Sequence, residues 1–397
     1  MSSRLPKIIL VFMGTDWPIY SRRPLLFALA EAARSSESTV VAVNRPLCPW
    51  TTVFRKPQRL AELVGKSGLR QLADNLFLYS PRYVIHDRLA ARVPVLERLN
   101  LAALRKSYRH LQARLDIVEP NPIVWFNYPQ QGYVTRLFDN GFHLFELYDN
   151  LVSFRGYENQ LVTRLERAVR ERTHLFVTTS DKLHHKYAGY YRQAYLLGNG
   201  LPCSTFERLG SANLSGLAEI LTVPSPRLGY AGQISERLDW ELILELASLR
   251  PSWNFVFVGR VAGKNTARRL RERNNIHHFG MYELAAMPSV WKSFDVGIMP
   301  YIDTAFFRYL NPLKFYEMAA AGLPSVSSPI EELRKFPQEL VRVLPNDVDK
   351  WREGIDDALS VDRKAVWQTG RDIAGRFIWE DMAARLLTRI QELTERT

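Results

Sequence analysis

The chain has 397 residues, 46% of them hydrophobic, and its 53 Lys and Arg outnumber 41 Asp and Glu for a formal net charge of +12. That length exceeds one ordinary hydrophobic core and suits two domains, while the composition excludes an intrinsically disordered chain, a collagen-like fibre and a small stapled scaffold. Two cysteines, Cys48 and Cys203, make no disulfide framework and lack the C-x-x-C spacing of a zinc or redox site, so a reducing, cytoplasmic setting is expected.

The first apolar run, residues 7–13, has only a strand's length and no small-residue cleavage site after it, so no signal peptide is expected. No run approaches the roughly 20 apolar residues that span a bilayer, and any membrane contact is expected to be peripheral. Short apolar runs then alternate with longer amphipathic ones, the pattern of parallel strands buried on both faces and joined by helices. Strands are predicted over 8–13, 39–43, 123–127, 143–148, 175–178 and 194–197, with helices over 23–33, 102–115, 161–172 and 182–190. These form one doubly wound α/β domain over residues 1–200. Gly, Asn, Pro and Ser accumulate over 198–225, and the pattern then resumes. Strands at 227–231, 254–258, 276–279, 295–299, 324–327 and 341–344 predict a second α/β domain over 201–377. Helices are expected near 349–359 and 379–393, the latter within a terminal segment, 378–397. Open parallel sheets bind ligands outside the carboxyl ends of their strands, so two tandem domains predict two such sites facing a cleft.

The charge is not spread evenly. Residues 1–200 hold 28 Lys and Arg against 16 Asp and Glu, whereas residues 201–397 hold 25 of each. The first domain is therefore expected to face anionic phosphates, a membrane surface or nucleic acid. Residues 50–115 interleave Trp50, Phe54, Phe77, Tyr79, Tyr83 and Tyr108 with Arg55, Lys56, Arg59, Lys66, Arg70, Arg105 and Lys106. That mixture suits anionic lipid headgroups, or else a helical insertion with aromatics in its core. No nucleic-acid-binding module is visible, and none is expected as a partner.

The most informative stretch runs from Phe294-Asp-Val-Gly-Ile-Met-Pro-Tyr301 to Asn311-Pro-Leu-Lys-Phe-Tyr-Glu317 and on to Pro324. A strand should end near Pro300, Asn311 should N-cap a helix opened by Pro312, and Gly322 should end it. The N-terminus of such a helix favours anions, and Lys314 adds a full charge there. Glu317, one turn on, could accept bonds from ribose hydroxyls; the alternative is an ordinary helix whose Lys314 and Glu317 are solvated surface residues. In the first domain, Asp149 ends an apolar strand, where a carboxylate can act as a base; the alternative is a turn or cap with Asn150. Gly14-Thr-Asp16-Trp17 follows the first strand, and Arg22 and Arg23 beyond it are expected to hold an acceptor phosphate. Asp347-Val-Asp349 is read as a helix cap, and His184-His185 as part of a polar helix, so no metal site is expected.

Tyr230-Ala-Gly-Gln-Ile, Asn254-Phe-Val-Phe-Val-Gly259, Ile276-His-His-Phe-Gly280, Phe294 to Pro300 and Asn311 to Glu317 resemble, in order, the nucleotide-sugar domain of GT-B glycosyltransferases. The likeness is greatest to family 4 and its relatives that build bacterial surface polysaccharides. Thinner similarity extends to Val11 to Trp17, Val43 to Pro46, Leu147-Tyr-Asp149, Val177 to Ser180 and Gly198-Asn-Gly200. The resemblance implies two Rossmann-like domains with a C-terminal helix crossing back to the first. It implies that Lys314 contacts the donor diphosphate and that Glu317 is the second acidic residue of the family's E-x7-E motif, whose first acidic position is Tyr309 here. Gly232, Arg237, His278, Phe279, Tyr301, Asn311 and Leu313 would complete the donor site, and Gly14, Asp16, Trp17, Arg22 and Arg23 the acceptor site.

The resulting expectation is a metal-independent, cytoplasmic glycosyltransferase, peripheral on the inner face of the cytoplasmic membrane. It would use a UDP or GDP sugar as donor substrate, without a cofactor, and a lipid-linked saccharide as acceptor. The competing expectations are a nucleotide-sugar 2-epimerase of the same fold and a non-catalytic scaffold that binds nucleotide sugar or membrane.

Overall fold

The structure is a computed structural model that describes residues 5–45, 68–82, 85, 89, 93–150, 165, 167–211, 213–214 and 216–395. The expectations placed on Cys48, Trp50, Phe54, Arg55, Lys56, Arg59, Lys66 and Tyr83, and on much of 161–172, lie outside the described residues. The chain divides into two compact units, residues 1–197 with 379–397, and residues 198–378.

The first unit is built on an eight-stranded sheet with the order β3-β4-β2-β1-β5-β6-β7-β8. Its strands are β1 (Ile8–Phe12), β2 (Thr39–Val43), β3 (Leu69–Ala73), β4 (Leu76–Tyr79), β5 (Ile123–Phe126), β6 (Phe142–Leu147), β7 (Leu175–Thr178) and β8 (Ala194–Leu196). β1, β2, β5, β6 and β7 are buried along their whole length, as strands covered on both faces must be. Helices α1 (Arg23–Ala33), α2 (Pro94–Leu115) and α3 (Asp181–Tyr187) lie between them. The Ser180 hydroxyl caps α3, accepting a bond from the Leu183 amide.

The second unit carries a six-stranded, all-parallel sheet of order β11-β10-β9-β12-β13-β14. These strands are β9 (Arg227–Ala231), β10 (Asn254–Val258), β11 (Ile276–His278), β12 (Val296–Met299), β13 (Ser325–Ser327) and β14 (Val341–Val343). Its helices are α4 (Cys203–Ser211), α5 (Ala218–Leu221), α6 (Trp240–Leu249), α7 (Lys264–Arg269), α8 (Met287–Lys292), α9 (Leu313–Ala320), α10 (Val348–Ser360) and α11 (Arg363–Ala374). The chain then enters α12 (Trp379–Thr394), which packs on α1 of the first unit. In both sheets the strand order reverses next to the first strand, between β1 and β5 and between β9 and β12. Such reversals open crevices at the carboxyl ends of the strands.

Five elements differ from the sequence reading. β3 and β4 form an antiparallel hairpin at the sheet edge, inside a stretch read as helical or lipid-facing. α4 and α5 occupy the region read as a pause between domains, and α11 precedes the terminal helix.

The packing of α12 rests on a buried charge. Arg22 at the start of α1 is 1% exposed, its guanidinium 2.9 Å from Glu146 Oε1 of β6 and 5.1 Å from the centre of the Trp379 ring of α12. Glu146 is fully buried, and its Oε2 accepts bonds from Trp125 Nε1 at 2.9 Å and Asn127 Nδ2 at 2.8 Å. Buried ion pairs hold only when their remaining polar atoms are satisfied in this way. Glu146→Ala, which strands the arginine, is expected to destabilise the first unit by about 3–5 kcal/mol in urea unfolding. An unfolding midpoint equal to wild type would contradict this assignment.

Candidate functional site

The carboxyl edge of the second sheet gathers residues from β9, β11, β12 and α9. β9 leads into Gly232, whose φ of +143° suits glycine and whose amide bonds the Val258 carbonyl at 2.8 Å. A Cβ there would lie 2.6 Å from Lys314 Cε, so the backbone and the lysine stem touch only because the residue is glycine. Lys314, in the first turn of α9, is half-buried, with Nζ 3.3 Å from the Tyr301 hydroxyl and 5.2 Å from the centre of the Tyr230 ring. Burial alone would lower its pKa, but the oxygens of Tyr230, Tyr301 and Glu317 more than offset that and hold it above the ordinary lysine range. It is a cation at neutral pH.

No side chain caps α9. The residue at its N-cap is Pro312, which corrects the expectation that Asn311 would take that place. Asn311 is buried, its Nδ2 donating to Glu332 Oε1 at 3.4 Å and its carbonyl accepting from Asn199 Nδ2 at 2.7 Å. Its side chain is thus drawn across to a buried carboxylate. Pro312 fixes its own φ without help, and the first turn of α9 is left to a ligand. Leu313 is half-buried at that turn, and Gly322, at φ +68°, follows the helix as expected.

Glu317 stands one turn beyond Lys314, and its Oε2 accepts a bond from Trp291 Nε1 of α8 at 3.2 Å. Burial pushes its carboxyl up to about 7 against the opposing pull of Lys314 and Trp291. Arg237 is exposed, its guanidinium 5.6 Å from the centre of the Phe306 ring, and its carbonyl accepts the Ile302 amide at 3.0 Å. That bond ties the loop after β9 to the end of β12, where the Tyr301 ring stacks on Phe307 with centres 4.6 Å apart. His278 is exposed at the end of β11, with Nε2 2.8 Å from the Gly259 carbonyl oxygen, and Phe279 packs against the core. Gly232, Tyr301 and Lys314 are therefore in contact, Arg237 is attached through the backbone, and His278 and Phe279 lie further along the same sheet edge.

Sequence reasoning gave no role to Tyr230 or Trp291. Tyr230 was visible as the fourth residue of its strand, which alternation along β9 could have directed toward the site. Trp291 lies 26 residues from Glu317, and no local pattern reports that contact.

At the carboxyl edge of the first sheet, Gly14 follows β1. A Cβ there would lie 2.3 Å from a ring carbon of Tyr128 and 2.4 Å from the Tyr148 hydroxyl. The Tyr148 hydroxyl donates to that of Tyr128 at 3.0 Å, and burial holds it well above the usual phenol range. Asp149 comes next, half-buried beyond the end of β6. Asp16 is half-buried before a short 3-10 turn, and Arg23 is exposed at the start of α1. One acceptor candidate, Arg22, is corrected. Arg22 is committed to Glu146 in the interior, and Trp17 is 8% exposed with its amide bonded to Asn44 Oδ1 at 2.8 Å. The charge patterning that singled out Arg22 does not report that β6 carries a buried partner for it.

Among known proteins, residues 225–360 match the family model described as glycosyl transferases group 1. That match runs from β9 through α10 of the second unit. This chain is 25% identical over 261 residues to a Bacillus subtilis protein assigned as the teichuronic acid biosynthesis glycosyltransferase TuaH, covering 59% of this chain. The aligned region spans 64% of the length of that relative. Similar solved structures include Anabaena HepE in complex with UDP, at a TM-score of 0.64 and 11% identity, covering 97% of this chain and all of that one. They also include a Burkholderia multivorans trehalose 6-phosphate synthase, at a TM-score of 0.67 and 11% identity over 99% of each chain. A third, from Escherichia coli with UDP-2-fluoro glucose bound, has a TM-score of 0.67 and 10% identity over 97% of this chain and 99% of that one. Two Rossmann-like parallel-sheet units with this similarity make the fold GT-B.

The carboxyl of Glu317 gives the second unit a measurable signature. A carboxylate that accepts ribose hydroxyls must be ionised, and burial pushes this carboxyl up to about 7 in the unliganded protein. UDP affinity is therefore expected to rise between pH 6 and pH 8 more steeply in the wild type than in Glu317→Gln, as measured by calorimetric titration. Equal pH profiles for the two proteins would exclude that role.

Proposed function

We propose that the chain is a glycosyltransferase that moves a sugar from a UDP or GDP sugar to a lipid-linked saccharide, in the building of a bacterial exopolysaccharide, capsule or lipopolysaccharide. The observation that carries the donor half is Lys314, a cation seated against Gly232 in the uncapped first turn of α9. Amide donors, the positive end of the helix dipole and a fixed ammonium together make a diphosphate site. UDP in the HepE complex and UDP-2-fluoro glucose in the E. coli structure support a uridine donor on this fold.

In the proposed reaction the bond between the anomeric carbon and the β-phosphate oxygen breaks, and the acceptor hydroxyl oxygen forms the new bond. Lys314 and the first turn of α9 take up the negative charge that develops on the departing diphosphate, which lowers the barrier electrostatically. Glu317 holds the ribose while Trp291 fixes its carboxylate. Asp149 either receives the acceptor proton or orients the acceptor while the departing phosphate oxygen takes that proton. Gly14, Asp16 and Arg23 line the acceptor side, with Arg23 supplying charge for a phosphate.

For the membrane half, the support lies on α2. Val95 is 65% and Leu99 49% exposed, and Leu89 and Val93 just before the helix are exposed as well. Arg98, Arg105, Lys106 and Arg109 are exposed on the same helix. Residues 95, 98, 99, 102, 105, 106 and 109 follow the three- and four-residue spacing of a single helical stripe, apolar at one end and basic at the other. A stripe of that kind suits the interfacial layer of an anionic membrane. No helix among the described residues is long and apolar enough to cross a membrane.

Lys314→Ala is expected to weaken UDP binding by about 10- to 100-fold, the worth of charge-assisted bonds to a phosphate. Unchanged affinity would place the diphosphate elsewhere. The protein should also sediment with vesicles containing phosphatidylglycerol at low salt and release at high salt, with Arg105→Glu/Lys106→Glu abolishing the effect. Binding indifferent to salt and to both substitutions would count against the surface on α2.

A further inference from the structure

The opposite, amino-terminal edge of the second sheet holds a cavity of about 340 Å³ whose wall shares only Trp291 with the donor site. Its wall includes Trp291, Lys292, Arg363, Lys364 and Trp367, with residues 321–323 closing it. These positions precede β12 and β13 or begin α11, whereas Gly232, Tyr301 and Lys314 lie beyond strand ends or at the first turn of α9. α9 therefore separates the two places, with Lys314 in its first turn and Gly322 just past its last.

Three cations and no carboxylate line the cavity. Lys292 Nζ gives one bond to the Gly210 carbonyl at 3.0 Å, and Arg363 gives one to the Asp295 carbonyl at 2.6 Å. An ammonium has three donors and a guanidinium five, so both retain donors for a ligand. The Lys364 ammonium has no partner among the described residues, since only its backbone amide bonds Asp362. The neighbouring Asp295 carboxylate accepts the Arg227 amide at 2.6 Å and does not line the cavity. Trp367 is 41% exposed, an unusual place for the largest apolar side chain. Its position is fixed by Gly322, where a Cβ would lie 2.6 Å from the indole Cδ1. An exposed indole in one cavity wall with three cations combines a flat apolar platform with anion recognition.

We propose that this cavity binds an anionic saccharide, with a phosphate or carboxylate on Lys292, Arg363 and Lys364 and the sugar ring against Trp367. The inference does not depend on the donor reading, because Lys314 takes no part in it. Tryptophan fluorescence titrations with glucose 1-phosphate, glucuronate, glucose and inorganic phosphate test it. Saturable binding of one or both anionic sugars is expected, at least about 10-fold tighter than glucose or inorganic phosphate, and weakened about 10-fold or more by Lys364→Glu or by Trp367→Leu. UDP affinity should be unchanged in both variants, since neither residue contacts Lys314 or Gly232, and the thermal unfolding of Lys364→Glu, at an exposed position, should match wild type. Absence of saturation by either anionic sugar up to about 10 mM, equal binding of inorganic phosphate, or binding that survives both substitutions would overturn the proposal.

Discussion

The contact between Lys314 and Gly232 is the constraint on which the donor-type unit depends. Two segments distant in sequence meet there, the turn after β9 and the first turn of α9, and they meet at the point where the strand order reverses. The reversal opens the crevice, the missing side chain lets the lysine lie against backbone, and two phenol rings hold the ammonium in place. A cation placed in this way is already oriented before any anion arrives, so little of the binding energy is spent on ordering it.

The first unit solves a different problem, that of a terminal helix returned to a distant sheet. Arg22, Glu146 and Trp379 come from α1, β6 and α12, and each is at most 1% exposed. An ion pair in such surroundings adds little net stability but tolerates no loss of a partner. It therefore makes the packing of α12 specific: the guanidinium that neutralises Glu146 also lies against the tryptophan that opens the helix. The same network explains why a basic domain does not present all of its arginines to a ligand. The exposed charge of the described residues is concentrated elsewhere, on α2 among others.

Much of this was legible in the sequence. Most of the buried strands appear as largely apolar runs, β11, β13 and β14 being mixed with His, Ser or Arg, and the predicted bounds fall within a residue or so of β1, β2, β5, β6, β7 and β9 to β14. The stop at Gly322 and the cap at Asp347, whose Oδ1 accepts the Lys350 amide at 2.9 Å, follow from local backbone chemistry. β3 was not legible because its half-solvated Leu-Arg-Gln-Leu-Ala lacks the apolar run of a buried strand, and β4, though apolar and mostly buried, lies in a stretch whose aromatics suit a membrane surface equally well. Asn311 misled because a good capping residue one position early looks like a cap, while its actual partner, Glu332, lies 21 residues away. Arg22 misled for the same reason. Partners supplied by tertiary structure leave no trace in local spacing, and the bond from Trp291 to Glu317 belongs to that class.

The account is most directly tested by a crystal structure of the protein with UDP. It predicts the β-phosphate within about 3 Å of Lys314 Nζ, over the first turn of α9, and the ribose hydroxyls on Glu317. A diphosphate bound elsewhere, with Lys314 still turned to Tyr301 and Tyr230, would contradict it.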